Sequence, residues 1–223
     1  MADAPFELSP QLRAKISRNL RPVAPLARPL TRTLWLVPLA LLLLVAAVVM
    51  FGLRRDAPAL GLGLTWIAST LQAILGLALV AAALREAVPG TTLSRRIVGV
   101  TFGTALVAVI AITWLTWSAS RTTIASGFVA YVWRVCVAGT IATALPALAV
   151  SGWLVARAFP LRPALAGALY GVGAGLMADA GWRLFCHFSD PVHVITAHVL
   201  AVAAIGILGV IVANLWRSRS SEL

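Results

Sequence analysis

Apolar residues in this chain fall in long, nearly unbroken runs separated by short polar breaks. Six runs reach the ~20 residues that a helix needs to cross a bilayer. They lie at approximately 34–53, 62–84, 97–117, 130–155, 163–183 and 193–215. In the first, Leu41 to Leu44 flow into Val45, Ala46, Ala47, Val48 and Val49. Its long polar leader and its length do not fit a cleaved signal peptide, so it is expected to remain a span. The fifth run is rich in Gly and Ala, which membrane helices tolerate where they approach closely. No ten-residue alternation of apolar and polar positions recurs, so barrel strands are not expected. The pattern predicts an all-α integral membrane protein, a six-helix transmembrane bundle behind a short N-terminal amphipathic helix. Its parts are a tail at 1–33, a transmembrane domain at 34–216 and a C-terminal tail at 217–223. No loop exceeds about 12 residues, so no extramembrane catalytic domain is expected. No internal repeat is visible, which counts against an inverted-repeat transporter.

Composition excludes a water-soluble enzyme and a disordered chain. Hydrophobic residues make up 61% and charged residues 11%, with mean hydropathy +0.95, far from the average of soluble domains. The net charge of +11 comes from arginines lying between apolar runs. Phospholipid headgroups are therefore the expected anionic partner, and direct nucleic-acid binding is not expected. With six spans both termini share a side. Thirteen basic residues fall there: Arg13, Lys15, Arg18, Arg21, Arg28, Arg32, Arg85, Arg95, Arg96, Arg157, Arg162, Arg217 and Arg219. The other side has Arg54, Arg55, Arg121 and Arg183, with Arg134 just inside the fourth span. The positive-inside rule then puts both termini in the cytoplasm. Trp35, Trp66, Trp114, Trp117, Trp133, Trp153, Trp182 and Trp216 lie near span ends, as an aromatic belt requires.

In the tail, Ser9-Pro10 is a helix start, with a side-chain acceptor at the cap and proline at the first helical position. Leu12, Ile16 and Leu20 then recur every four residues. Arg13, Lys15, Arg18 and Arg21 take the other faces, and Pro22 ends the helix. Two readings fit: a basic helix lying on the anionic inner leaflet, or an amphipathic ligand for the groove of a soluble partner.

Towards the other side, Gly167, Gly171 and Gly175 form two overlapping GxxxG units, a face for close helix approach. The same spacing continues through Asp179, Arg183 and His187, turning the small face polar. A carboxylate near the membrane needs a partner, and Arg183 stands one turn along. His193 and His198 follow beyond Pro191; they are five apart, not the four of an α-helical metal pair. At ~1.5 Å per residue, Cys136 reaches a depth similar to this cluster. Three readings remain open for Cys136 and Cys186. They are a disulfide or reversible thiol pair in an oxidising periplasm, a soft-metal site drawing on Cys136, Cys186 and His187, or two small buried thiols beside hydrogen-bonded histidines. No catalytic residue and no cofactor is expected.

Several stretches together resemble a known family. They are Leu20-Arg21-Pro22-Val23 with Pro25-Leu26, Pro29 and Trp35; Arg85-Glu86-Ala87-Val88-Pro89-Gly90; and Gly175-Leu176-Met177-Ala178-Asp179-Ala180-Gly181-Trp182-Arg183 running into Cys186, Ser189-Asp190-Pro191, His193 and His198. The chain resembles the NrsF-like negative regulators, six-span inner-membrane anti-sigma factors of bacteria. The resemblance implies that the tail, through Leu12, Arg13, Ile16, Leu20, Arg21 and Pro22, sequesters an extracytoplasmic-function (ECF) sigma factor. It implies that Cys136 and Cys186 sense an oxidant or heavy metal from the envelope side. Asp179, Arg183, His187, His193 and His198 would form a structural polar cluster. The alternative is a small inner-membrane transporter or channel. It needs polar residues along a path, whereas apart from Gln72, Asp179 and scattered Ser and Thr the spans are apolar.

Overall fold

A computed structural model describes residues 9–19, 25–158 and 160–220. Leu20, Arg21 and Pro22 lie outside the described residues, and of Ile16 only the backbone is described. Among the described residues all regular structure is helical. The tail helix α1 spans Pro10–Asn19, and Ser9 Oγ accepts from the Leu12 N–H at 3.3 Å. Helix α2 (Pro29–Leu34) leads through a turn into α3 (Val37–Phe51). Gly52 ends α3 at φ +91°, a conformation open to glycine. Helix α4 (Ala57–Leu62) passes through a π-helical turn at Gly63–Ile67 into α5 (Ala68–Glu86). Helix α6 (Arg95–Ala119) starts at Ser94, whose side chain accepts from the Ile97 N–H. Helix α7 (Val129–Ala156) contains Pro146. Helix α8 covers Pro163–Phe185. Short α9 (Pro191–His193) enters a second π-helical turn, Val194–Val199, and continues as α10 (Leu200–Ser220).

The six apolar runs each coincide with a helix. Five helical stretches are long and apolar enough to cross a membrane by length and composition: Pro29–Phe51, Ala57–Glu86, Arg95–Ala119, Val129–Ala156 and Pro191–Arg217. Their outward faces carry exposed apolar residues such as Leu41, Val49, Ile74, Ile110 and Ile207. The remaining long helix, α8, is the post around which the others stand, with 18 of its 23 residues buried. A helix surrounded by helices needs no apolar skin, so α8 can carry glycines, Asp179 and Arg183 along its length.

Small residues set how closely the neighbours approach α8. A Cβ on Gly167 would lie 2.5 Å from the Gly209 carbonyl oxygen, and one on Gly171 2.6 Å from that of Ile205. The GxxxG face thus receives α10. On the opposite side Gly173 meets Gly76 of α5, Gly181 meets the Leu43 carbonyl of α3, and Gly139 of α7 lies against the Trp182 ring. Trp182 accordingly sits in the core, its Nε1–H donating to Thr143 Oγ1 at 2.9 Å, rather than at a headgroup boundary. Helix α6 is peripheral, and an apolar crevice of about 310 Å³ separates it from α8 and α10 near Leu106, Val172, Leu176 and Val202.

Gly171→Val should force α8 and α10 apart and cost about 1–3 kcal/mol, as overpacking does. A lower Tm for the detergent-solubilised protein checks this. Gly99→Val on α6, with nothing within 4 Å of the added Cβ, should leave Tm nearly unchanged.

Candidate functional site

Two polar centres close the ends of the bundle, and a third lies inside it. At the end facing the tail, Arg32 of α2 is 1% exposed. Its guanidinium donates to the Leu154 carbonyl of α7 at 2.9 Å and to the Leu84 carbonyl of α5 at 3.2 Å. These carbonyls lie in the last turns of their helices, where the macrodipole favours a cation. Beside it Arg162 makes a bidentate pair with Glu86 at 2.6 and 2.7 Å. The Leu93 N–H also donates to this carboxylate, at 2.8 Å.

At the opposite end Arg54 donates to Asp56 at 2.7 and 2.9 Å, to the Arg183 carbonyl at 3.2 Å and to Ser189 Oγ at 2.8 Å. Burial alone would raise the Asp56 carboxyl. Hydrogen bonds from Arg54 and Ser120, with the Arg54 charge, outweigh it and hold Asp56 below the usual carboxylate range. A depressed carboxyl contributes stability above its unfolded value and loses it as pH falls through the folded one. This clasp is therefore complete at neutral pH. Thr122 adds a further tie, its hydroxyl donating to the His187 carbonyl.

The interior centre is Asp179, 2% exposed. Its Oδ2 accepts from Gln72 Nε2 of α5 at 2.7 Å and from Arg183 Nε at 3.1 Å. Its Oδ1 lies 2.6 Å from His198 Nδ1. A carboxylate only accepts, so Nδ1 carries the proton. Arg183 also donates to Thr113 Oγ1 of α6 at 3.1 Å. Asp179 thus ties α5, α8 and the start of α10 directly, and α6 through Arg183.

The thiols stand beside this network. Cys136 Sγ and Cys186 Sγ lie 3.6 Å apart, both buried and free. Cys186 Sγ is 3.5 Å from His193 Nε2. The two imidazoles meet edge to face with centroids 5.3 Å apart. The five-residue spacing of His193 and His198 is reconciled by the π-helical turn between them. With i→i+5 bonding, residues five apart fall on one face, and the Leu200 N–H bonds the Ile195 carbonyl in that pattern. Among the described residues, ligand atoms of Cys136, Cys186, His193 and His198 all lie within 4.8 Å of one another. His187 is not brought into this group; its ring lies 4.1 Å from that of Phe188. A cavity of about 150 Å³, lined by Tyr131, Val132, Cys136, Cys186, His187 and Phe188, opens onto the thiols.

The tail residues stand apart. Leu12, 44% exposed, and Arg13 lie on the surface of α1. Sequence reasoning missed the burial of Arg32 and the roles of Gln72, Thr113 and Arg54. A lone glutamine inside an apolar span was the available signal for Gln72, because its amide there must find a partner.

Removing the Asp179 carboxylate leaves Arg183 buried without its anion. Asp179→Ala should therefore destabilise by about 3–5 kcal/mol. Combining it with Arg183→Leu should cost less than the sum of the two single changes. Unfolding of the detergent-solubilised variants measures both.

Residues 16–217 match the sequence model of the family described as "Negative regulator of sigma F". Among curated proteins and among solved structures, none matches. With the match running from within the tail helix into the last turns of α10, this chain belongs to the NrsF family of negative regulators of a sigma factor.

Proposed function

We propose that this protein is a six-span anti-sigma factor of the bacterial inner membrane, with both termini in the cytoplasm. Its N-terminal tail holds an ECF sigma factor at the membrane. The factor is released when an oxidant or heavy metal acts on Cys136 and Cys186 from the envelope side. The observation that carries this reading is the separation of two ends within a chain that belongs to a family of sigma-factor regulators. At one end an exposed helix begins at Pro10. At the other, two free thiols lie beside a cavity. The arginine distribution supports a cytoplasmic tail, and α8 supplies the sixth span. In the sigma-factor complex Leu12 and Arg13 contribute apolar and charged contacts, joined by Ile16, Leu20, Arg21 and Pro22. The bilayer is the second partner.

Helix α7 is the connecting rod. From Cys136 to Leu154 it runs about 27 Å at 1.5 Å per residue. The Leu154 carbonyl is held by Arg32, the anchor of α2 and hence of the tail. A signal that alters how α7 and α8 meet at the thiols moves this carbonyl and loosens α2. A few kcal/mol of preference between two arrangements suffices.

The test is retention of the cognate ECF sigma factor by membranes carrying the full chain. Leu12→Asp should weaken retention at least about tenfold, since burying one leucine contributes about 1.5–3 kcal/mol. Cys136→Ser and Cys186→Ser should retain the factor yet fail to release it on oxidant or metal. Unchanged retention by Leu12→Asp would show that the factor binds elsewhere. Unchanged release in both serine variants would remove the sensing half.

A further inference from the structure

We propose that Cys136, Cys186, His193 and His198 form one four-ligand site for a thiophilic divalent ion of the zinc–cadmium class. This deepens, and rests on, the reading of the thiols as the signal-receiving end. It adds two histidine ligands and a carboxylate that orients one of them.

The distances carry the inference. Tetrahedral bonds of about 2.3 Å to sulfur and about 2.0–2.1 Å to nitrogen put two sulfurs about 3.8 Å apart, and a sulfur and a nitrogen about 3.6 Å apart. The protein holds the two sulfurs at 3.6 Å and Cys186 Sγ to His193 Nε2 at 3.5 Å. The four donor atoms fall within 4.8 Å of one another, so the widest edge closes by about 1 Å on binding. A disulfide needs the sulfurs at about 2.05 Å; these are separate thiols held at a ligand spacing.

The second layer matches as well. His198 gives its Nδ1–H to Asp179 Oδ1 at 2.6 Å, which leaves Nε2 as the nitrogen open to a metal. A carboxylate–histidine–metal relay of this kind fixes the ring and raises its basicity. Asp179 is itself held by Gln72 and Arg183, so the relay is anchored in three helices. The π-helical turn at Val194–Val199 sets His193 and His198 on one face, and such turns concentrate at functional sites. The cavity of about 150 Å³ beside Cys136 and Cys186 supplies the access route. On binding, the ion displaces the two thiol protons to water. Both imidazoles bind neutral, and His198 keeps its Nδ1 proton on Asp179. Soft thiolates select a thiophilic ion over magnesium or calcium.

The full chain, reduced and reconstituted in nanodiscs, is titrated with Co2+ as a spectroscopic probe and then with Cd2+ as competitor. The expected result is one Co2+ per chain, with the visible bands of a tetrahedral thiolate–imidazole site, displaced by Cd2+. Cys136→Ser, Cys186→Ser, His193→Gln and His198→Gln should each weaken binding more than tenfold. His187→Gln should not. Circular dichroism checks that each variant is folded. If His198→Gln is not, His193→Gln decides, since Cys186 is the one hydrogen-bond partner of its ring among the described residues. Binding that survives His193→Gln overturns the four-ligand site, as does octahedral Co2+ or no binding by folded, reduced protein. Sigma-factor release from the same nanodiscs separates the two readings. Release by an oxidant without Co2+ binding overturns the metal site and leaves the sensor. Metal held by all four ligands, with neither metal nor oxidant changing retention, establishes the site and overturns the sensor.

Discussion

A carboxylate sealed inside a membrane bundle is costly unless every oxygen is answered, and Asp179 is answered from three directions. Gln72, Arg183 and His198 approach it from α5, α8 and the start of α10. Much of the remaining arrangement follows from this contact. Helix α8 has to be central for its carboxylate to meet three partners. It has to be glycine-rich for α5 and α10 to come near enough to deliver them. The π-helical turn before α10 rotates His198 towards Asp179 while leaving His193 beside Cys186. Polar and small residues in α8 are thus parts of one solution rather than separate concessions.

The long helices were legible because each of the six apolar runs coincides with a helical stretch, five of them long and apolar enough to cross a membrane. The GxxxG face of Gly167, Gly171 and Gly175 was legible for a related reason, since only contact with another backbone explains such spacing. Asp179 and Arg183, four apart on one helix, declared their pairing. The histidines did not. A spacing of five reads as mismatched on an α-helix, and only the π-helical turn, formed in tertiary context, makes it a pair. Arg32 was also hidden. In sequence it is one more basic residue before a span, yet it is buried because two helix ends offer it carbonyls. Trp182 looked like a belt residue from its position, but Gly139 opposite gives the indole a place in the core. In each case the missing information was the identity of a neighbour distant in sequence.

The two ends of the bundle differ in how they are held. Near the thiols, Arg54, Asp56, Ser189 and Thr122 tie the loops to the end of α8, while a cavity leaves the cysteines approachable. Near the tail, one guanidinium joins α2 to α5 and α7. One continuous helix between an approachable thiol and a single anchoring cation is suited to carrying a small displacement. The exposed α1 precedes that anchor in the chain. Such a design needs no moving domain, only a bundle with two arrangements of similar free energy.

In the proposed mechanism, events at the thiols govern the tail. Hydrogen exchange of the full chain in nanodiscs, with the sigma factor bound, tests it most directly when the thiols are compared reduced and oxidised. Amide exchange reports local opening. Control of the tail by the thiols requires protection of residues 10–19 by the sigma factor in the reduced protein, lost on oxidation together with protection of residues 29–34. Protection of 10–19 that persists with the thiols oxidised, and change confined to the neighbourhood of Cys136 and Cys186, would contradict it.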